Sequence, residues 1–331
     1  MANLQTNYLG LKLKNPIIAA SSGITNTVED IKELEENGIG AVVLKSIFEE
    51  EILLQMERDK AEMNRESFIY PETVDFYDNM ASDDAFTTHL KLIREAKKAV
   101  SIPVIASINC VTSDQWVNYA QNLQDAGADA LELNVFVMPS DFNKTCNENE
   151  KIYFQIIEKV KKYISIPLSL KISFYSSNLG ALIQQLSHSG VDGLVLFNRF
   201  YSPDIDLDNL DLLSTHVLSQ PSEISMPLRW IGIMADRAEC DLAASTGIHD
   251  GDAVIKQLLA GAKAVQIATT LYKNGKKVIN TMLEDVESWM DDKGYNSIEE
   301  FRGKLSQLKT ENAAAYYRTQ FMKYFAGKNY M

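Results

Sequence analysis

The chain has 331 residues, 46% hydrophobic and 23% charged, with a formal net charge of −13 at pH 7. This composition gives a globular chain with a large core, and the acidic balance excludes a nucleic-acid backbone or an anionic membrane surface as partner. The three cysteines, Cys110, Cys146 and Cys240, stand far apart with no C-x-x-C pair, so no disulfide framework, iron–sulfur centre or other metal site is indicated.

Residues 1–14 hold no apolar segment of signal-peptide length, and no stretch approaches the roughly 18 apolar residues of a membrane span, so a cytoplasmic protein is expected. Asn15 to Ala20 reads as a short buried strand closed by Ser21-Ser22-Gly23. A helix follows from Thr27, an N-cap with Asp30 three residues on, and turns Val28, Ile31 and Leu34 inward. Gly38-Ile39-Gly40 ends it, and Ala41 to Leu44 is the next strand, with Lys45-Ser46 at its exit.

That glycine junction recurs at Gly127-Ala128-Asp129-Ala130, Gly190-Val191-Asp192-Gly193 and Gly261-Ala262-Lys263-Ala264. A second junction, Ser-Ile-Pro, stands at 101–103 and again at 165–167. Both end a helix and enter a strand. Strands are therefore expected to begin near residues 17, 41, 103, 130, 168, 193, 241 and 264. Eight short apolar runs separated by helices predict a (β/α)₈ TIM barrel, an α/β fold; a doubly wound open sheet is the competitor and lacks its glycine-rich first turn here. Two insertions break the rhythm, Phe48–Asn79 after strand two and Asn198–Pro227 after strand six. Gly294 to Tyr330 reads as a helical tail whose Tyr316, Tyr317, Phe321, Tyr324 and Phe325 pack on the barrel or on a second subunit. No low-complexity linker divides the chain, so residues 1–331 are expected to form one domain.

In a barrel, residues at strand exits face the site. Here these are Ala20 and Ser21, Lys45 and Ser46, Asn109, Asn134, Lys171 and Asn198. The last two turns, Ser245-Thr246-Gly247 and Ala268-Thr269-Thr270, have small residues and hydroxyls that suit a phosphate, or are ordinary tight turns. Two lysines and three amides without paired carboxylates, histidine or metal ligands suit a polar heterocycle, and with the remote phosphate turns they meet the needs of flavin mononucleotide, FMN. A phosphosugar isomerase or aldolase barrel would use the same turns for its substrate.

The runs NPIIAASSG at 15–23, VEDIKEL at 28–34, AVVLKS at 41–46, ADALELN at 128–134, LSLKIS at 168–173, IKQLLAGAKAVQIATTLY at 255–272 and DDKGYNSIEEFRGKLS at 291–306 together resemble the dihydroorotate dehydrogenases, the soluble class 1 type in particular. The resemblance implies a TIM barrel with non-covalent FMN and a homodimer. It places Ala20, Ser21, Lys45, Ser46, Asn109, Asn134, Lys171, Asn198 and Ser225 around the flavin or its ribityl chain, with Ser245, Thr246, Gly247, Ala268, Thr269 and Thr270 at the phosphate. It also implies hydride transfer between a dihydropyrimidine-type substrate and the flavin in pyrimidine biosynthesis, with a soluble electron acceptor or separate redox partner.

The reacting half departs from the family. Val137 stands where the family has a cysteine or serine base, so Ser140 is the candidate proton acceptor, with Cys146 on the same loop, and Lys45 the second catalytic candidate. The family's Asn-Ser-x-Gly substrate loop is replaced by FIYPETVDFYDN, leaving Asn79, Asn134 and Arg199 as candidate substrate ligands. These departures keep open a flavin-binding protein of the same fold with another substrate, or with an electron-transfer or regulatory role.

Overall fold

A hairpin that the sequence pattern does not announce starts the fold. β1 (Thr6–Tyr8) and β2 (Leu11–Leu13) pair antiparallel around Leu9 and Gly10, both at positive φ, as a two-residue turn requires. The computed structural model describes residues 2–48, 85–109, 115–135, 137–199, 202–215 and 217–317. Asn79, the rest of the first insertion beyond Phe48, and Phe321, Tyr324 and Phe325 of the tail lie outside the described residues.

The remaining elements alternate. β3 (Ile17–Ala19), α1 (Val28–Glu36), β4 (Ala41–Val43), the short β5 (Ile47–Phe48), α2 (Ala85–Ala99), β6 (Val104–Asn109), α3 (Gln115–Asp125) and β7 (Ala130–Asn134) form the first half. α4 (Cys146–Lys161), β8 (Leu168–Ile172), α5 (Leu179–Ser187) and β9 (Gly193–Leu196) follow. After the hairpin β10 (Ser202–Asp206) and β11 (Asp211–Thr215) come α6 (Ser225–Met234), β12 (Asp241–Ser245), α7 (Gly251–Ala260), β13 (Ala264–Ile267), α8 (Thr269–Asn274) and α9 (Val278–Lys293). β3, β4, β6, β7, β8, β9, β12 and β13 pair in parallel, and Val42 and Val43 of β4 pair with Val104 and Ile105 of β6 to close the ring. The fold is the expected (β/α)₈ barrel.

The recurring junctions have a common physical basis. Asp129 accepts the Val104 N–H at 2.7 Å while pairing with Lys97, and Asp192 accepts the Leu168 N–H at 2.8 Å while pairing with Lys161. The Ser-Ile-Pro turns are tied in the same way. Glu35 of α1 accepts the N–H groups of Ser101 and Ile102, and Gln124 of α3 accepts those of Ser165 and Ile166. Each helix end is thereby fastened to the entry of a strand, satisfying donors that the strand itself leaves unpaired. Thr27 caps α1 by accepting the Asp30 N–H, and Ile31 and Leu34 are buried beneath it, with Val28 half-buried.

The first hairpin plugs the N-terminal end of the barrel. Tyr8, Leu9 and Leu13 pack with Ile18, Val43, Ile105 and Val195 of the barrel interior. Gly193 opens β9 where a Cβ would stand 2.5 Å from Leu9 Cδ2, so glycine here lets the plug seat without displacing Leu9. The Leu9 N–H donates to Asp241 at the start of β12. With that end filled, the site must lie at the opposite rim.

The second insertion carries the β10–β11 ladder, an exposed hairpin whose turn is held by Asp206 accepting the Asp208 and Asn209 N–H groups. One expectation changes. The described part of the tail contains no α-helix beyond α9, only the 3₁₀ turns Ile298–Glu300 and Ala313–Tyr316. Alternate N–H groups of the tail bond the barrel helices: Gly303 to Leu258 O, Leu305 to Leu259 O and Gln307 to Gly232 O. Tyr316 packs over Gly232 of α6 and donates its hydroxyl to Leu305 O. Among the described residues no helix is long and apolar enough to cross a membrane, and no His/Cys/Asp/Glu group is arranged to hold a metal.

Candidate active site

The C-terminal ends of the strands surround a pocket of about 510 Å³. Ala20, Ser21, Lys45, Ser46, Asn134, Lys171, Asn198, Ser245, Thr246, Gly247, Ala268 and Thr269 all line it. Strand exits far apart in sequence therefore converge, as barrel geometry demands.

Three hydrogen-bonded sets hold the lining. A hydroxyl chain links the first three exits: Ser21 and Ser46 lie 3.0 Å apart, and Ser46 and Ser107 lie 2.7 Å apart. The Ser46 N–H also donates to the Ser21 hydroxyl. On the far side Asn198 donates to Asn134 Oδ1 at 2.6 Å and to the Lys171 carbonyl at 3.3 Å, which fixes both amides at the rim.

The floor is a buried polar triad on three strands. Lys171 Nζ donates to Gln266 Oε1 at 2.9 Å, Gln266 Nε2 donates to Glu132 at 2.5 Å, and Lys171 stands 3.8 Å from the Glu132 carboxylate. Burial pushes the Lys171 ammonium below its usual range, and the Glu132 carboxylate opposes that fall. Glu132 is 1% exposed, and its Oε1 has Lys171 as its ion partner but no hydrogen-bond donor. An acceptor-only carboxylate and a donor-only ammonium also orient the Gln266 amide between them.

At the last two turns Thr246 and Gly247 both adopt positive φ. A Cβ on Gly247 would collide with the Ile224 backbone nitrogen, in the 3₁₀ turn Pro221–Ile224. The missing side chain of Gly247 is what lets that turn pack directly against the strand exit. Behind it Ser219 donates its N–H to Thr269 Oγ1, approaches His249 Nε2 at 3.1 Å and accepts Lys273 Nζ. Burial and Lys273 push His249 below its usual range, against the opposing pull of Asp250 and Glu223. A backbone hollow, hydroxyls and a nearby ammonium form a donor set that fits a phosphate. A buried cation below and fixed amides above fit the polar edge of a flavin.

Other sequence candidates fall elsewhere. Thr270 is fully buried and donates its hydroxyl to His249 O, which leaves the pocket wall to Thr269. Asn109 is half-buried at the end of β6, beside Phe48 of β5, and does not line the pocket. Ser225 lines an adjoining chamber, shared with Asn198 and Arg199. Arg199 reaches both cavities, but its guanidinium is paired with Glu223 at 2.8 and 3.2 Å and donates to Val217 O. Ser140 is exposed, with its N–H bonded to Met138 O, and lines neither cavity. Cys146 is exposed at the start of α4, 3.2 Å from the Ser177 hydroxyl, and also lies off the pocket. Half-buried Val137 packs against the core.

Exit reasoning missed Glu132, Gln266, Ser107 and Ser219. Each of the first three is a lone polar residue amid apolar neighbours on a barrel strand, which is the signal that could have placed it inside. His89 of α2 was missed too; burial, with the Lys45 ammonium nearby, lowers its pKa to about 4.

The family model for dihydroorotate dehydrogenase matches residues 3–290. Similar proteins include the dihydroorotate dehydrogenase B (NAD(+)) catalytic subunits of Thermoplasma acidophilum, 27% identical over 92% of this chain and 99% of the relative, and of Pyrococcus abyssi, 26% identical over 91% and 98%. That of Caldicellulosiruptor saccharolyticus is 26% identical over 92% and 99%. With its closed barrel and its site at the strand exits, the chain belongs to the dihydroorotate dehydrogenase family, oxidoreductases acting on CH–CH groups.

Proposed function

We propose that the chain is a single FMN-binding barrel domain that exchanges hydride with a dihydropyrimidine-type substrate, as in the dihydroorotate to orotate step of pyrimidine biosynthesis. The observation that carries the reading is the convergence of a phosphate hollow at Gly247 and a buried Lys171 in one pocket. When bound, FMN supplies an N5 that takes up or gives a hydride. Thr246, Gly247 and Thr269 would hold its phosphate, and Ser21, Ser46, Asn134 and Asn198 its ring and ribityl edge. Lys171, held by Gln266, offers positive charge where the reduced ring becomes anionic. Lys45, beside Ser46, lines the same pocket and is the second catalytic candidate.

The names of the relatives, catalytic subunits that use NAD(+), support a separate redox partner as the route for electrons. A homodimer in the cytoplasm completes the reading, with gel filtration as its check.

A second reading is favoured by one observation: Val137 stands in the base position, while Ser140 and Cys146 lie off the pocket. A general base contributes about 10²–10⁴-fold in rate, so a flavoprotein of this fold with another substrate, or with an electron-transfer role, accommodates its loss.

Two measurements decide. The purified protein should be yellow with a flavin spectrum, and dihydroorotate should bleach it under anaerobic conditions. A colourless protein that takes up no FMN sinks both readings; a yellow protein that dihydroorotate leaves unbleached leaves the second.

A further inference from the structure

Among the described residues, one carboxylate faces the lysine under the pocket. Glu132 of β7 is 1% exposed, and in the strand register it stands beside Ser107 of β6 and Ser169 of β8. Those two hydroxyls are engaged elsewhere, Ser107 with Ser46 and Ser169 with the Leu131 carbonyl. The carboxylate is left with the Gln266 amide at 2.5 Å and the Lys171 ammonium at 3.8 Å, while Gln266 accepts from Lys171 at 2.9 Å. An ion taken into an apolar interior is costly unless a countercharge goes with it, so each member of the pair keeps the other charged.

The neighbouring groups do not take over this role. Tyr8 of the plug also faces Glu132, but burial, with Glu132, Asp241 and Cys240 adding to it, raises its hydroxyl well above the usual range and keeps it a neutral phenol. Of the pocket's other cations, Arg199 is paired with Glu223, and Lys45 lies near His89, whose pKa of about 4 leaves that ring neutral. Burial lowers Lys171 from its usual range, and Glu132 opposes the fall. Removing the carboxylate leaves burial unopposed, and a fully buried lysine can hold its proton only below about pH 5–6.

We propose that Glu132 is a positioning residue for the flavin chemistry: it keeps the proton on Lys171 Nζ in both redox states, so that two-electron reduction of the bound flavin takes up one proton. That proton goes to N5, arriving together with the electron pair when a substrate gives hydride, and the negative charge left on the ring meets an ammonium already formed. With a neutral lysine the same two electrons would draw a second proton from solvent, onto Nζ. The inference rests on the flavin reading and adds to it the residue that fixes the lysine's charge.

The test is the midpoint potential of FMN bound to the full-length protein, measured by absorbance against reference dyes from about pH 6 to about pH 9. Each proton taken up makes the reduction equilibrium fall about tenfold per pH unit. Wild type and Glu132→Asp, which keeps the charge, should show the one-proton slope. Glu132→Gln should reach the two-proton slope, about a hundredfold per pH unit, at the alkaline end. A two-proton slope in wild type or in Glu132→Asp, or a one-proton slope throughout in Glu132→Gln, overturns the proposal. Loosened packing alone would not alter a proton count, and should Glu132→Gln fail to fold, the other two proteins decide by the same criterion. A yellow protein with the wrong slopes loses only the role of Glu132; a colourless one that takes up no FMN loses the flavin reading as well.

Discussion

Gln266 and Glu132, 134 residues apart in sequence, meet inside the barrel at 2.5 Å, and both face the buried lysine under the pocket, Gln266 by accepting its hydrogen bond and Glu132 as its ion partner 3.8 Å away. Removing one member of a buried ion pair strands the other, at a typical loss of about 3–5 kcal/mol. Glu132→Gln is therefore expected to destabilise the protein by about 3 kcal/mol in urea unfolding. The double variant Glu132→Gln/Lys171→Met should lose less than the sum of the two single changes, because it leaves no stranded charge. Strict additivity would show that the pair is not coupled.

Gly247→Ala should weaken FMN binding by about tenfold or more, since a positive-φ strain of roughly 1–3 kcal/mol adds to the collision with Ile224. Titrating FMN fluorescence measures this directly. An unchanged affinity would place the phosphate elsewhere.

Gly193→Ala tests the other end. The added methyl meets Leu9 of the plug and approaches the Asp241 carbonyl at 3.3 Å, an overpacking that costs about 1–3 kcal/mol. The melting temperature should fall while FMN affinity stays at the wild-type value. A parallel loss of affinity would show that plug and pocket are coupled.

His89 gives the pH dependence. Its folded pKa, about 4, lies below its ordinary 6.5. Above pH 6.5 the ring is neutral in both states and contributes no dependence. As the pH falls below 6.5 the unfolded chain takes up the proton first, so stability declines, by about 3 kcal/mol once pH 4 is reached. His89→Leu should flatten the unfolding free energy between pH 6.5 and 4 by about that amount. An unaltered slope would mean that the ring protonates freely in the folded state.

Much of the barrel could be read from the chain because its junctions are local. Gly127-Ala128-Asp129 and Gly190-Val191-Asp192 carry in adjacent residues both the turn and the carboxylate that ties it down, and strands begin at 130 and 193 as their spacing implies. Ser-Ile-Pro at 101–103 puts β6 within one residue of its expected start. The exits Ser46, Asn134, Lys171 and Asn198 were legible for the same reason, since a strand end fixes where its next side chain stands.

What escaped depends on distant partners. Glu132 in ALELN and Gln266 in AVQI look like ordinary polar residues until the closed ring turns them towards each other. Thr6 to Leu13 forms a hairpin against walls made by strands from the whole chain. The tail carries a helical pattern, yet Gly303, Leu305 and Gln307 find barrel carbonyls nearer than their own preceding turn.

The stopper at the barrel's base has a consequence for biosynthesis. Leu9 and Leu13 leave the ribosome well before the ring they fill can close, which awaits β13, and Asp241, which receives the Leu9 N–H, is made 232 residues later. During synthesis the hairpin must therefore wait, with its apolar side chains unsheltered, until the strands that wall it in have followed.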